Sequence, residues 1–260
     1  MQNQTLSVIE NRVSVRNYAP NSVSREEKET ILHAAMRAPT AGNMMLYSII
    51  EIEDQALKDR LAETCDHQPF IAKAPFELIF AADYQRMFDY FQYCGVEAQG
   101  VERGVTTRPP QEGDMLLACC DALIAAQNAV VAAESMGIGS CYIGDIIEQY
   151  ETHRELLNLP PYVLPITMLC FGRPAVEKAE KHPRSRFDPA YIIFKNQYKR
   201  LTDQDFNEMM KKEALHAHPD AALEEAVKQN GSELYFRKFA SAFSAEMTRS
   251  AREMIKNWQK

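Results

Sequence analysis

The residues best suited to chemistry stand close to the start of the chain. Arg12, Ser14 and Arg16 recur at every second position, with Val13 between the first two, just ahead of Tyr18 and Pro20. Two guanidiniums so close together repel, so the group is either solvated surface or a cradle for a fixed anion. Rigid guanidinium forks donate paired hydrogen bonds that suit a phosphate. Three later segments could share the work. APTAGNM (Ala38–Met44) offers small residues for close backbone approach and polar atoms at Thr40 and Asn43. AAESMGIGSCYIG (Ala132–Gly144) ends in a glycine after Tyr142 and Ile143, where a backbone N–H could face a flat ligand. FGRP (Phe171–Pro174) leads into a basic stretch with Lys181, Arg184 and Arg186, either a second anion contact or a solvated turn.

Other chemistries find little support. Gly137-x-Gly139 resembles a dinucleotide fingerprint, but it follows a helical segment and lacks the third glycine. There is no G-x-S-x-G, no H-E-x-x-H and no Walker loop. His216 and His218 have no third ligand at metal-binding spacing, so no metal is expected. Cys119 and Cys120 lie mid-helix in apolar company and nothing there would lower a thiol pKa.

Bulk properties set the frame. The chain has 260 residues, 46% hydrophobic and 25% charged, enough for a sizeable core. A net charge of −7 argues against nucleic-acid or membrane-surface binding, and any anion site must be a local basic pocket. The six cysteines form no C-x-x-C pair, which with no signal segment points to a cytoplasmic protein. No apolar run is expected to span a bilayer.

Several elements must position these residues. Ser24 and Glu27 fit a capping box opening a helix up to Ala38. Leu46–Ile52 reads as a strand, Asp54–Thr64 as a short helix, and Pro75–Ala82 as a strand covered on both faces. Val163–Phe171 reads similarly, with Pro165 predicting an edge position or a late start to pairing. Asp114 could cap a helix from Met115 to Met136, stopped by Gly137 and apolar almost all round, hence buried on several sides or covered by a partner. Residues 92–113 read as a loop or lid, and Glu233–Gln259 as one long amphipathic helix.

Five motifs in order, from the R-x-S-x-R-x-Y of Arg12–Tyr18 through APTAGN, QPFIAKAP (Gln68–Pro75) and AAESMGIGSCYIG to FGRP with RSRF (Arg184–Phe187), resemble the flavin-dependent nitroreductase family, in particular its oxygen-insensitive, flavin-reductase-like branch. The resemblance runs from about Ser7 to Tyr198. It implies an α+β fold, a nitroreductase-like sandwich whose mostly antiparallel sheet is surrounded by helices. It also implies an FMN-binding domain over 1–200 and a helical C-terminal extension over 201–260, assembled as a homodimer with FMN at the interface. Carried over position by position, Arg12, Val13, Ser14 and Arg16 match the segment that holds the FMN phosphate, ribityl chain and pyrimidine edge. Thr40, Ala41 and Asn43 match a loop beside the flavin, partly across the interface. Gln68 matches a hydrogen-bond partner of the isoalloxazine, and Tyr142, Ile143 and Gly144 the flavin face. Arg184 and Arg186 match a basic pair at the phosphate.

The activity so implied is ping-pong hydride transfer from NADH or NADPH, through FMN, to nitroaromatics, quinones or flavins, with no protein acid or base required. The alternatives are an FMN-binding storage or sensor protein and a different flavin redox reaction. Three positions depart from the pattern. Met45 stands where many relatives have Gln. Asp145 stands where a second glycine is frequent, putting a carboxylate near the ring. Lys228 is the one cation over 225–232, where relatives carry arginines for the NADPH phosphate.

Overall fold

In the computed structural model, which describes residues 3–20, 23–175 and 183–259, the sheet is built first by burial. β2 (Phe76–Asp83) is buried at every position and pairs antiparallel with β1 (Tyr47–Glu51) and β4 (Val163–Gly172). β3 (Gly139–Ile143) completes an antiparallel sheet of order β1-β2-β4-β3. The chain is therefore α+β, as expected.

Pro165 is not on an edge strand, but the late start to pairing holds on the β3 side. It lies in central β4, at a register shift where Thr167 faces Phe80 and Pro165 faces Ala81. β3 pairs only as far as Met168, so nothing on that side asks Pro165 for an N–H. A bulge is the one place a central strand tolerates proline.

One face of the sheet carries α2 (Arg25–Met36) and α6 (Glu112–Ser135), packed over Leu78, Phe80, Leu169 and Phe171. α2 opens with the reciprocal Ser24–Glu27 capping box. α6 starts earlier than expected: Gln111 is the N-cap and Asp114 answers from the third position, while also accepting from Arg108. Its buried side is small: Ala118, Ala122, Ala125, Ala126, Ala129 and Ala133 let α6 lie close to the sheet. Its other side leaves Leu116, Leu117, Leu123 and Ile124 between 39% and 61% exposed. The expectation that no segment could span a bilayer fails on length and hydropathy alone. α6 has 24 residues and a mean hydropathy of 1.8 over its most apolar window, but only 39% of that window is buried within the protomer.

The opposite face carries α3 (Gln55–Thr64), capped by Asp54, over Ile79, Cys141, Met168 and Cys170. The 92–113 stretch is not a plain loop. α4 (Gln85–Tyr93) runs into it, and α5 (Val96–Arg103) is bracketed by Gly95 and Gly104, both in the left-handed region. Those glycines signal turns in the sequence; here they are the two caps of a short helix.

The chain divides into two compact units, Met1–Pro183 with Glu246–Lys260, and Arg184–Ala245, rather than at residue 200. α8 (Asp203–Ala217) and α9 (Leu223–Lys238) pack together in the second unit. The expected single helix over 233–259 is two, α9 and α10 (Ala242–Trp258). From Glu246 onward α10 is tied to the first unit. Trp258 is fully buried and donates to the Gln111 carbonyl, and Asn257 donates to the Tyr150 hydroxyl and the Pro161 carbonyl.

Candidate functional site

Arg12, Ser14 and Arg16 leave α1 (Gln4–Asn11) in an extended segment that lies along the free edge of β3. Ser14 bridges Ser140 in parallel, and the Val15 N–H donates to the Ser140 carbonyl. The approach is tight because β3 begins with Gly139. A Cβ there would lie 2.3 Å from Val15 Cγ2, and Val15 is fully buried. Alternation then puts Val15 in the core and Ser14 and Arg16 on the other side.

The two guanidiniums converge on β3. Burial pushes the Cys141 thiol up, while Arg16, Arg12 and a hydrogen bond from Ser14 oppose it. Arg12 also acts on Tyr142, whose hydroxyl burial pushes up to about 12. The Arg16 guanidinium sits 5.8 Å from the Phe70 ring centroid, a cation–π contact. Neither arginine has a carboxylate partner among the described residues. Two cations on one edge without a carboxylate among the described residues have the donors an anion would need.

Beyond Cys141 the strand delivers Tyr142, Ile143 and Gly144. Tyr142 is half-buried, and its hydroxyl donates to Gln127 on α6, so the ring is pinned. Ile143 has its side chain in the core and offers only backbone. A Cβ on Gly144 would meet nothing within 4 Å, leaving space against the backbone for a flat group. The turn after it is bolted by fully buried His153 of α7 (Tyr150–Leu156), hydrogen-bonded to the Ile146 carbonyl through Nδ1 and to the Thr64 hydroxyl through Nε2. Burial holds this imidazole below its usual pKa, and the carbonyl at Nδ1 requires that Nδ1–H donate.

Gln68 joins this group. Its Nε2 donates to the Cys65 carbonyl and to Asp145 Oδ2, both at 2.9 Å. Arg12, Ser14 and Arg16 thus lie along β3 beside Ser140, Cys141 and Tyr142, while Gln68 meets the turn after Gly144 through Asp145. Thr40, Ala41 and Asn43 are not part of that group within a protomer. Asp121, 3% exposed on α6, accepts from the Thr40 hydroxyl and from the Ala41 and Leu46 amides, so Thr40 and Ala41 point inward. Asn43 is exposed, and both it and Met45 have positive φ. Arg86 holds this strained loop by donating to the Met45 and Tyr47 carbonyls. Arg184 and Arg186 are exposed in the second unit, and Lys181 lies outside the described residues. Sequence reasoning missed Asp121 and the Gln68–Asp145 bond. A lone carboxylate inside an apolar helix, which must find donors, was the available signal for the first.

Comparison with known proteins decides the family. The model of the nitroreductase family matches residues 9–173. The chain belongs to that family. The nitroreductase-family chain is similar to an FMN reductase (NADPH) of Bacillus subtilis strain 168, with 32% identity over 80% of this chain and 79% of the relative. It is also similar to an oxygen-insensitive NADPH nitroreductase of Salmonella typhimurium strain LT2, with 31% identity over 77% of each chain. Among solved structures, B. megaterium NfrA2 superposes with a TM-score of 0.75 at 26% identity, covering 99% of this chain and 98% of that one. Membership makes the protein an oxidoreductase and fits the fold built above.

Glu148, in the turn after Gly144, gives this nitroreductase-family fold a measurable pH dependence. Glu148 is 6% exposed, and its carboxyl is pushed up to about 7, chiefly by burial and then by Asp145, Asp66 and Glu246. A carboxyl raised in the folded state is protonated in both states at low pH. The folded protein loses stability as pH rises from the ordinary carboxylate range through 7. Glu148→Gln removes this loss. Urea unfolding is expected to show the variant equal to or below wild type at pH 5 and more stable by about 2–3 kcal/mol at pH 8. Parallel stability curves would refute it.

Proposed function

We propose that the protein binds FMN on the edge formed by residues 12–16 and the β3 turn, takes hydride from NADH or NADPH, and passes it to small oxidised acceptors such as quinones, nitroaromatics or free flavin. The observation that carries this reading is the pair of uncompensated arginines flanking Ser14, next to a glycine turn open to a flat ring. The donor set fits the cofactor. Arg12 and Arg16 would neutralise a phosphate near −2, Ser14 offers a hydroxyl, and the Gly144 N–H and Gln68 carboxamide would hold the ring. Bound there, FMN would supply the hydride-accepting and hydride-donating chemistry. The chain positions it, and the pinned Tyr142 and the turn held by His153 keep the face rigid. The relatives' names, FMN reductase (NADPH) and NADPH nitroreductase, support the same activity.

The working form is a homodimer. The apolar strip left open on α6 is continuous with Cys120 and Val131, and a second copy of the same strip is its self-complementary partner. Assembly would bring the exposed Asn43 loop of one copy toward the other's site. Cytoplasmic placement is consistent with six free thiols.

Two measurements test the function. Adding NADH or NADPH anaerobically to FMN-loaded protein should bleach the flavin, and a quinone or nitroaromatic should restore it; a flavin that never bleaches sinks the enzyme reading. Arg12→Ala and Arg16→Ala should each weaken FMN binding about 10- to 150-fold, the loss of a charge-assisted contact of roughly 1.5–3 kcal/mol. Fluorescence quenching on titrating apoprotein reads this directly. Unchanged affinity in both variants would remove the phosphate assignment.

A further inference from the structure

Asp145 follows the open glycine, and its carboxylate has no cationic partner among the described residues. Its hydrogen bond there is from Gln68 Nε2. Its charge is felt around the turn, where it helps push up the Cys65, Cys141 and Glu148 side chains. Asp66 and Glu246 act with Asp145 on Glu148, and Glu246 is itself ion-paired to Arg249. Arg12 and Arg16, which act on the same Cys141 thiol, would be offset by the cofactor phosphate.

The hydrogen bond has a second effect. Gln68 gives both amide hydrogens away, to Cys65 and Asp145. Its Oε1 is the remaining polar atom of the carboxamide, and it can only accept. The orientation of the amide is therefore fixed jointly by the Cys65 carbonyl and Asp145: a ligand group meeting Gln68 must donate, as the ring imide N–H of a flavin does.

We propose that Asp145 is a specificity-determining residue, whose unneutralised carboxylate and hold on Gln68 select neutral or cationic electron acceptors over anionic ones. This rests on the FMN reading above. An anion approaching the exposed ring must enter the field of a fixed like charge, and a cation is drawn into it.

The test compares wild type with Asp145→Asn, which keeps an acceptor for Gln68 and removes the charge, and Asp145→Ala, which removes both. FMN affinity is measured first. FMN-loaded protein is then titrated with sulfite, an anion that adds to the oxidised ring and bleaches it. Steady-state kcat/KM is compared for an anionic sulfonated quinone and a cationic quaternary-ammonium quinone. Asp145→Asn is expected to take sulfite about tenfold more tightly and to shift the anion-to-cation ratio of kcat/KM about tenfold toward the anion, the scale of one like charge a few ångströms away at intermediate dielectric. Asp145→Ala should show the same shift and also weaken FMN binding, because Gln68 keeps only its hold on the Cys65 carbonyl. Equal sulfite affinity and equal kcat/KM ratio in FMN-loaded wild type and Asp145→Asn would overturn the inference alone. Wild-type protein that takes up no FMN would overturn both it and the functional reading.

Discussion

Gly139→Ala should abolish FMN uptake while leaving the rest of the fold standing. The added methyl would lie 2.3 Å from Val15 Cγ2 and 2.9 Å from Val15 Cβ, well inside contact distance. Val15 is fully buried and cannot swing into solvent, so the extended segment must lift off β3. That breaks the Val15 to Ser140 hydrogen bond and carries Arg12, Ser14 and Arg16 away from the Gly144 turn. Overpacking of this kind costs about 1–3 kcal/mol, a fraction of a domain's stability but a large displacement for the residues it moves. Apoprotein titrated with FMN should show no quenching, with urea unfolding still cooperative. Adding Val15→Ala to the same variant makes room and should restore much of the binding. Wild-type affinity in Gly139→Ala would show that the arginine segment does not set the site.

Leu123→Glu should yield a monomer without bound flavin. Leu123 and Ile124 sit at the middle of the open strip of α6, 45% and 39% exposed in the isolated protomer. In the proposed two-fold interface each substitution occurs twice, so two carboxylates enter it. The loss combines two buried leucines, at about 1.5–3 kcal/mol each, with the cost of desolvating or repelling two charges. Sedimentation should report half the wild-type mass. A glutamate at Leu156, which is similarly exposed on α7 outside the strip, should leave the assembly intact. A dimeric Leu123→Glu protein would put the interface elsewhere.

Much of this was legible in the residues because local rules agreed with tertiary ones. Ser24 and Glu27 announced α2, and the unbroken apolar run at Phe76–Ala82 announced a strand covered on both faces. The Arg12–Ser14–Arg16 spacing marked two like charges on one extended segment, and the structure lays that segment along β3. The failures have physical causes. Gly95 and Gly104 look like loop residues but serve as helix caps. β3 is short and follows a helix so closely that Gly137 hides its start. Pro165 is compatible with a central strand only because a bulge and the end of β3 coincide there. Asp121 and the Gln68–Asp145 bond join residues 75 or more positions apart, and no spacing rule reaches that far.

The six thiols are distributed in a way that bears on self-inactivation. Cys65, Cys141 and Cys170 are buried on one face of the sheet, each pushed up chiefly by burial, and Cys119 on α6 is pushed up to about 11. Electrophiles attack thiolates, and none of these four supplies one near neutral pH. Cys120 and Cys94 are the exposed pair, and a second copy laid along α6 would cover the first. If catalysis takes place beside β3 as proposed, quinone substrates and nitroso products would meet no alkylatable sulfur there, and Cys94 at the end of α4 would be left as the sulfur open to covalent damage.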